Sequence, residues 1–92
     1  MMRVIVLDGK KMTDIPQTHR YIAEEASFPE YYGRNLDALA DCLSELGKNT
    51  CIVLMNPDDM RKNLRGYARR ILGVMEYCSS EYGFDFVICG EE

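Results

Sequence analysis

The most informative stretch of this chain is residues 31–43, which read Tyr31-Tyr32-Gly33-Arg34-Asn35-Leu36-Asp37-Ala38-Leu39-Ala40-Asp41-Cys42-Leu43. Two aromatic residues and a glycine indicate a loop, and Asn35 is of a type that caps helix N-termini. After it, leucines recur at helical spacing. The stretch therefore predicts an aromatic loop followed by an amphipathic helix.

The predicted helix runs from Asn35 to Leu46 and stops before Gly47, because glycine favours the position just past a helix C-terminus. Its apolar side chains fall within about 120° around the axis and form a buried stripe. This stripe consists of Leu36, Leu39, Cys42, Leu43 and Leu46.

Two carboxylates, Asp37 and Asp41, lie one turn apart on the other side of this helix. Asp37 is in the first turn, where the helix dipole stabilises a negative charge. Asp41 follows a like charge and has no basic residue three or four positions after it, so the pair costs roughly a few tenths of a kcal/mol. The carboxylates either solvate a polar helix face or form a surface that meets a cationic partner.

Three apolar runs, rich in β-branched or aromatic residues, predict strands at residues 3–7, 50–55 and 84–89. These runs scarcely alternate between apolar and polar residues, which is typical of parallel strands covered by helices.

Three further helices are predicted between these strands. The first begins near Asp14, ends before Phe28 and has Ile15, His19, Ile22 and Ala26 at helical spacing. A short helix begins at Asn56-Pro57, an N-cap followed by proline at the first helical position. The last spans residues 67–82, ends at Gly83 and has a core stripe of Ala68, Ile71, Leu72, Met75 and Cys78.

The order β-α-α-β-α-α-β predicts an α/β fold with two right-handed crossovers in a three-stranded parallel sheet. If the strands lie in the order 1-2-3, both crossovers place their helices on one face, and the fold has two layers. A chain of 92 residues is expected to form one domain, residues 1–92, with one modest core. The apolar runs are too short to span a membrane or to form a signal peptide.

The net charge of −4 hides a segregation, because residues 1–23 sum to +2, 24–47 to −5, 48–75 to +4 and 76–92 to −5. The first acidic block contains Asp37 and Asp41, and such a surface steers basic partners. The basic block carries a cluster that would suggest nucleic acid, but the overall acidity and the lack of a binding motif argue against it. This cluster is Arg61, Lys62, Arg65, Arg69 and Arg70.

No cofactor, metal site or enzymatic activity is predicted. The four cysteines show no close-spaced pair and there is one histidine, so a zinc site is not expected. Without a secretory signal, the thiols are expected to be reduced, as in a cytoplasmic protein. Asp8-Gly9 follows the first strand but is interpreted as a turn and not as a catalytic acid.

The run at residues 31–43 closely resembles the signature of the barstar family, intracellular inhibitors of secreted bacterial ribonucleases of the barnase type. The flanking elements fit the family along nearly the whole chain. The resemblance implies that the loop and second helix plug a ribonuclease active site, with carboxylates in place of RNA phosphates. The implied partner is an extracellular barnase-type ribonuclease in a 1:1 complex, with no direct contact to nucleic acid or membrane.

The resemblance also assigns roles to particular residues. Asp41 would be the main phosphate mimic, Asp37 would contact neighbouring basic groups, and Tyr31 would lie against the enzyme's catalytic histidine. Other candidate contacts lie in the loop and along the helix, at Gly33, Asn35, Ala40 and Ser44. Tyr32 is expected to pack inward, because two adjacent rings do not both face the partner.

The chain departs from the pattern of the best-known inhibitors at three places. Ala40 stands where they carry Trp, Glu45-Leu46 where they carry Gly-Trp, and Cys78, counted back from Gly83, where they carry an interfacial Glu. Two functions therefore stay open. The protein is either an inhibitor of a ribonuclease or a barstar-fold interaction module for another basic partner, such as a toxin of different activity or a regulatory protein.

Overall fold

The computed structural model describes residues 1–90, and its helices and strands follow the predicted order. They are β1 (Arg3–Asp8), α1 (Ile15–Ala26), α2 (Leu36–Leu43), β2 (Thr50–Met55), α3 (Pro57–Leu64), α4 (Gly66–Tyr82) and β3 (Asp85–Cys89), with a short 3₁₀ helix, Gly9–Lys11, after β1. None of the helices in this described part is long and apolar enough to cross a membrane.

The three strands form a parallel sheet in the order β1-β2-β3, which confirms the predicted topology. Burial alternates along β1 and β2, and the covered face carries the core residues Ile5, Leu7, Ile52 and Leu54. On the other face Val4, Val6 and Val87 are 58%, 44% and 43% exposed. The helices thus cover one face, as predicted. The apolar residue pattern conceals the alternation because valines also occupy the open face.

Helix α1 begins as predicted, since the Asp14 side chain accepts a hydrogen bond from the backbone N–H of Gln17 at 2.8 Å. His19, Ile22 and Ala26 are buried, but Ile15 is 40% exposed and does not belong to the core. Ile15 is the first residue of the helix, and a helical side chain leans toward the N-terminus, which carries it away from the packed turns.

Asn56 does not cap α3 with its side chain, contrary to the expectation for this position. It adopts a left-handed conformation with φ 53°, and its Nδ2 donates to Asp8 Oδ1 at 2.8 Å. A Cβ atom on Gly9 would lie 2.1 Å from the Asn56 carbonyl oxygen, so glycine is required there. The turn predicted at Asp8-Gly9 therefore ties the C-terminal ends of β1 and β2 together.

Helix α2 ends at Leu43, three residues before the predicted end. The Ser44 hydroxyl donates to the Asp41 carbonyl at 2.6 Å, and the Glu45 N–H turns instead to the Cys42 carbonyl. Competition of this kind between a serine hydroxyl and the helical ladder ends helices. Within the predicted stripe, Leu39 and Leu43 are fully buried, and the half-buried members are Leu36, Cys42 and Leu46.

Helix α4 matches its prediction closely and ends at Gly83, which has φ 88°. Four members of its predicted stripe are buried, and Leu72 is half-buried. On its inner side, α4 packs against α2, so the position of α2 depends on this contact.

Candidate partner-binding surface

The two adjacent tyrosines of the loop before α2 point in opposite directions. Tyr31 is 87% exposed, whereas Tyr32 is 8% exposed and belongs to the core. The Tyr32 N–H donates to the Pro29 carbonyl at 3.0 Å, and its ring lies 5.2 Å from the Phe28 ring, measured between centroids. The expectation that Tyr32 packs inward is confirmed, and this anchor leaves Tyr31 presented to solvent.

A buried histidine holds the Tyr32 anchor in place. His19 on α1 is fully buried, and its Nδ1 and Nε2 atoms lie 2.7 Å from the hydroxyls of Tyr32 and Tyr67 respectively. Burial lowers the pKa of His19 and raises the pKa of both tyrosines. The sequence gives no sign of this network, because its members are separated by 13 and 48 positions.

Asn35 shapes the turn into α2. Its Oδ1 accepts from the Ala38 N–H at 2.7 Å, as expected of an N-cap, and its Nδ2 lies 3.4 Å from the Gly33 carbonyl oxygen. A Cβ atom on Gly33 would lie 3.3 Å from the Ala38 Cβ, which is a tight contact. Arg34 between them has φ 56°, in the left-handed region. This short connection fixes Tyr31 relative to the first turn of α2.

Asp37 and Asp41 are both exposed on α2, four positions apart. Within residues 1–90, no basic nitrogen forms a salt bridge with either carboxylate, and the ion pair observed is Arg61 with Asp58. The negative charge of Asp41 reaches a neighbouring group, since the pKa of the Cys42 thiol is raised by burial and by the carboxylates of Glu45 and Asp41. The two carboxylates therefore present free acceptor oxygens to solvent.

The remaining predicted contact residues border this pair of carboxylates. Ala40 and Ser44 are half-buried, while Gly33 and Asn35 are exposed. The Ser44 hydroxyl donates to the Asp41 carbonyl, so its proton already has an acceptor within the helix. We call the surface formed by these residues the loop–helix surface; its members are Tyr31, Gly33, Asn35, Asp37, Ala40, Asp41 and Ser44.

Cys78 is not at this surface, contrary to its expected correspondence with an interfacial residue. It is 1% exposed, and its Sγ lies 4.0 Å from the Ala40 carbonyl oxygen, between α4 and α2. The neighbouring Tyr77 is 63% exposed. The correspondence was made by counting residues back from Gly83, and such a count does not show which side chains of α4 face the protein interior.

The chemistry available at the loop–helix surface is recognition. A carboxylate has two acceptor oxygens to which a guanidinium can donate two parallel hydrogen bonds. A phosphate offers acceptor oxygens in the same way. No cluster of three or more His, Cys, Asp or Glu side chains in the described residues could hold a metal ion. The arrangement of exposed ring, capped turn and paired carboxylates is suited to a rigid, cationic protein surface.

Comparison with known proteins identifies the family of this chain. The family model for Barstar (barnase inhibitor) matches residues 2–89. The chain is also 36% identical over 88 residues to the "Putative ribonuclease inhibitor YrdF" of Bacillus subtilis (strain 168), an alignment that covers 95% of this chain and 97% of that protein. The chain therefore belongs to the barstar family of ribonuclease inhibitors.

Proposed function

We propose that this protein inhibits a barnase-type ribonuclease by inserting the loop–helix surface into its active site. The observation that carries the proposal is the pair of exposed, unpaired carboxylates on α2, in a chain of the barnase-inhibitor family. A ribonuclease active site holds cationic groups that bind phosphates, so two carboxylates one helical turn apart fit it electrostatically.

In this proposal Asp41 takes the place of an RNA phosphate and faces the catalytic cations. Asp37 contacts basic groups beside them, and the exposed ring of Tyr31 lies on the enzyme's catalytic histidine. Gly33 and Asn35 supply backbone and amide contacts from the turn. Ala40 and Ser44 border the carboxylates, where their small side chains let the enzyme approach α2 closely.

Inhibition of this kind is occupation of a site and requires no reaction, so the protein acts without being an enzyme. One surface per chain gives a 1:1 complex. We further propose that residues 1–92 act as one domain, that the protein stays in the cytoplasm and that its partner is a secreted ribonuclease. Neither nucleic acid nor a membrane takes part in the complex.

The test is a titration of barnase-type ribonucleases with the purified protein, measuring RNA cleavage and binding by calorimetry. Asp41→Ala is expected to weaken binding by at least about 2 kcal/mol, the range of interface hot spots. That range includes an aspartate of a barstar itself, so this magnitude is one known for the family. Folding stability should stay equal or rise slightly, because like-charge repulsion with Asp37 is relieved.

Asp85→Ala is the matched control, since Asp85 is an exposed carboxylate on the open face of the sheet. It removes the same charge and should leave binding nearly unchanged. A loss below about 1 kcal/mol for Asp41→Ala would remove this residue from the centre of the interface. Tight binding to a basic protein that cleaves no RNA, with no ribonuclease inhibited, would favour the interaction-module function instead.

A further inference from the structure

A second concave surface lies on the opposite flank of α4 from α2. A groove of about 620 Å³ is lined by three arginines, by two half-buried aliphatic residues that form its floor, and by two further exposed residues. These are Arg61, Arg65 and Arg69, then Leu72 and Ile88, then Gly73 and Glu76. The α4 residues in it share one helix face, which a rotation of about 100° per residue places nearly opposite Cys78, the residue in contact with Ala40. We call this surface the arginine groove.

The arginine groove lies beside an open sheet edge. Ile88 belongs to β3, and β3 pairs with β2 on one side and with no strand of residues 1–90 on the other. The unpaired N–H and C=O groups of an edge strand are a template for an added strand. An extended peptide can bind to such a free edge by β-augmentation, and here it would lie between the edge of β3 and the side of α4.

The charges of the groove select an acidic occupant. Arg65 and Arg69 are exposed and form no salt bridge with the described residues, whereas Arg61 pairs with Asp58 at 3.3 Å. Guanidinium groups bind carboxylates in a bidentate manner. Glu76 is the one acidic residue of the lining, and it would repel an acidic side chain of a bound segment that lies next to it. The acidic residues of an occupant therefore belong near Arg65 and Arg69.

A protein segment fits better than a nucleic acid. Single-stranded nucleic acids bind to proteins by stacking bases on aromatic rings as well as by phosphate contacts. The groove lining contains no aromatic residue among those described, and its floor is aliphatic. An extended peptide uses what the groove does offer, which is backbone pairing along β3, an aliphatic floor and arginines.

We propose that the arginine groove binds an extended acidic segment of a second partner protein, which adds to the sheet beside β3. This function goes beyond ribonuclease inhibition. Because α4 separates the groove from the loop–helix surface, both surfaces can be occupied at once. The protein then connects a bound ribonuclease to an acidic partner.

The experiment uses the full chain and an eight-residue peptide of alternating Glu and Val, titrated to about 1 mM, the range of weak complexes. Amide chemical shifts of ¹⁵N-labelled protein should change along Asp85–Cys89 and around Arg65 and Arg69. A peptide with Gln for every Glu, and one N-methylated on alternate backbone nitrogens, should each bind about tenfold more weakly, as expected from lost charged or backbone hydrogen bonds.

The double variant Arg65→Ala and Arg69→Ala should also bind the peptide about tenfold more weakly, whereas Arg70→Ala is the control and should bind normally. Arg70 is an exposed arginine of the same helix outside the groove lining. Shifts confined to other surfaces, or equal binding of the N-methylated peptide, would overturn the proposal. So would tighter binding of a single-stranded oligonucleotide. The double variant should still inhibit the ribonuclease, which keeps this test separate from that of the proposed function.

Discussion

At the scale of single residues, His19 joins the buried core to the binding loop. A neutral imidazole donates from one ring nitrogen and accepts at the other, which matches two hydroxyl partners at 2.7 Å. A charged imidazolium would donate at both nitrogens and would be buried without a counter-charge. The network is therefore complete in the neutral state of His19, and through Tyr32 this state positions Tyr31.

We predict that the free energy of unfolding decreases as pH falls below about 6.5, the ordinary pKa of histidine. Burial lowers the pKa of His19 in the folded state, so in this window the unfolded chain binds more protons than the native one. The stabilisation from neutral His19 is complete above the pKa of this residue in the unfolded chain. It is lost as pH falls toward the lower pKa of His19 in the folded protein, with a slope of up to about 1.4 kcal/mol per pH unit. Urea unfolding between pH 5 and 8 measures it.

His19→Gln supplies the control for this titration. The variant retains carboxylate titration but loses the histidine contribution, so its unfolding free energy should vary less over the same range. An identical pH slope in the variant and the native protein would show that His19 is not the titrating group. In the native protein, binding of a ribonuclease should weaken over the same pH window as the Tyr32 anchor loosens.

At the scale of secondary-structure elements, the contact between α2 and α4 decides which residues reach a partner. Cys78 fills this contact, and burial followed by the nearby Glu81 carboxylate raises the pKa of its thiol. Ala40 lies at the edge of the same contact, half-buried. Ala40 and Cys78 both depart from the family pattern. Ala40 can contact a ribonuclease and so affect specificity directly, whereas the buried Cys78 cannot.

We predict that the protein binds its cognate ribonuclease more tightly than it binds barnase, and that Ala40→Trp improves binding to barnase. A Trp at an interface restores a large apolar contact, which is worth about 1 to 3 kcal/mol. Parallel inhibition titrations of the native protein and the variant against barnase measure the change. An unchanged affinity would show that Ala40 does not determine specificity.

Cys78→Glu is the companion variant, and for it we expect loss of stability instead of a gain in binding. A carboxylate there would be buried against α2, near the negative charge of Glu81, at a cost of about 3 kcal/mol or more. Tyr77→Glu, at the exposed neighbouring position, should change the unfolding free energy by less than about 0.5 kcal/mol. Equal thermal stability of the two variants would contradict the burial of Cys78.

At the scale of the whole molecule, the alternating charge blocks occupy different surfaces. The acidic block at residues 24–47 includes the loop–helix surface, and the basic block at 48–75 includes the arginines of the groove. The chain carries −4 overall, but each partner meets a local field of one sign. Such fields steer association and lose strength as salt screens them.

We predict fast, salt-dependent association with the ribonuclease, because an acidic surface approaches a basic active site. Rate constants should reach about 10⁸ M⁻¹s⁻¹ at low salt and decrease as ionic strength rises. Barnase and barstar are themselves a source of these rates, so the magnitude comes with the family. Stopped-flow measurements from low to physiological salt test it, with the dissociation rate as the internal control. Association rates that do not vary with salt would contradict the electrostatic role of Asp37 and Asp41.

The amino-acid sequence alone is enough to predict the parallel sheet and most of the helix and strand boundaries. The order of strands and helices predicts a parallel sheet, because the crossover rules leave few arrangements, and the structure has the strand order β1-β2-β3. The caps at Asp14 and Asn35 and the end at Gly83 depend on neighbouring residues only, and the structure has all three. The exposure of Asp37 and Asp41 likewise follows from helical periodicity.

Features that depend on residues far apart in the chain become visible when the helices and strands pack together. Asn56 bonds to Asp8 across 48 positions instead of capping its own helix, and His19 joins two tyrosines on separate elements. Cys78 is buried because α2 packs on α4, a contact that counting along one helix does not contain. Neighbouring residues determine local hydrogen bonds and hydrophobic periodicity, so both can be read from the sequence. The burial of a side chain depends on which helices and strands pack against each other.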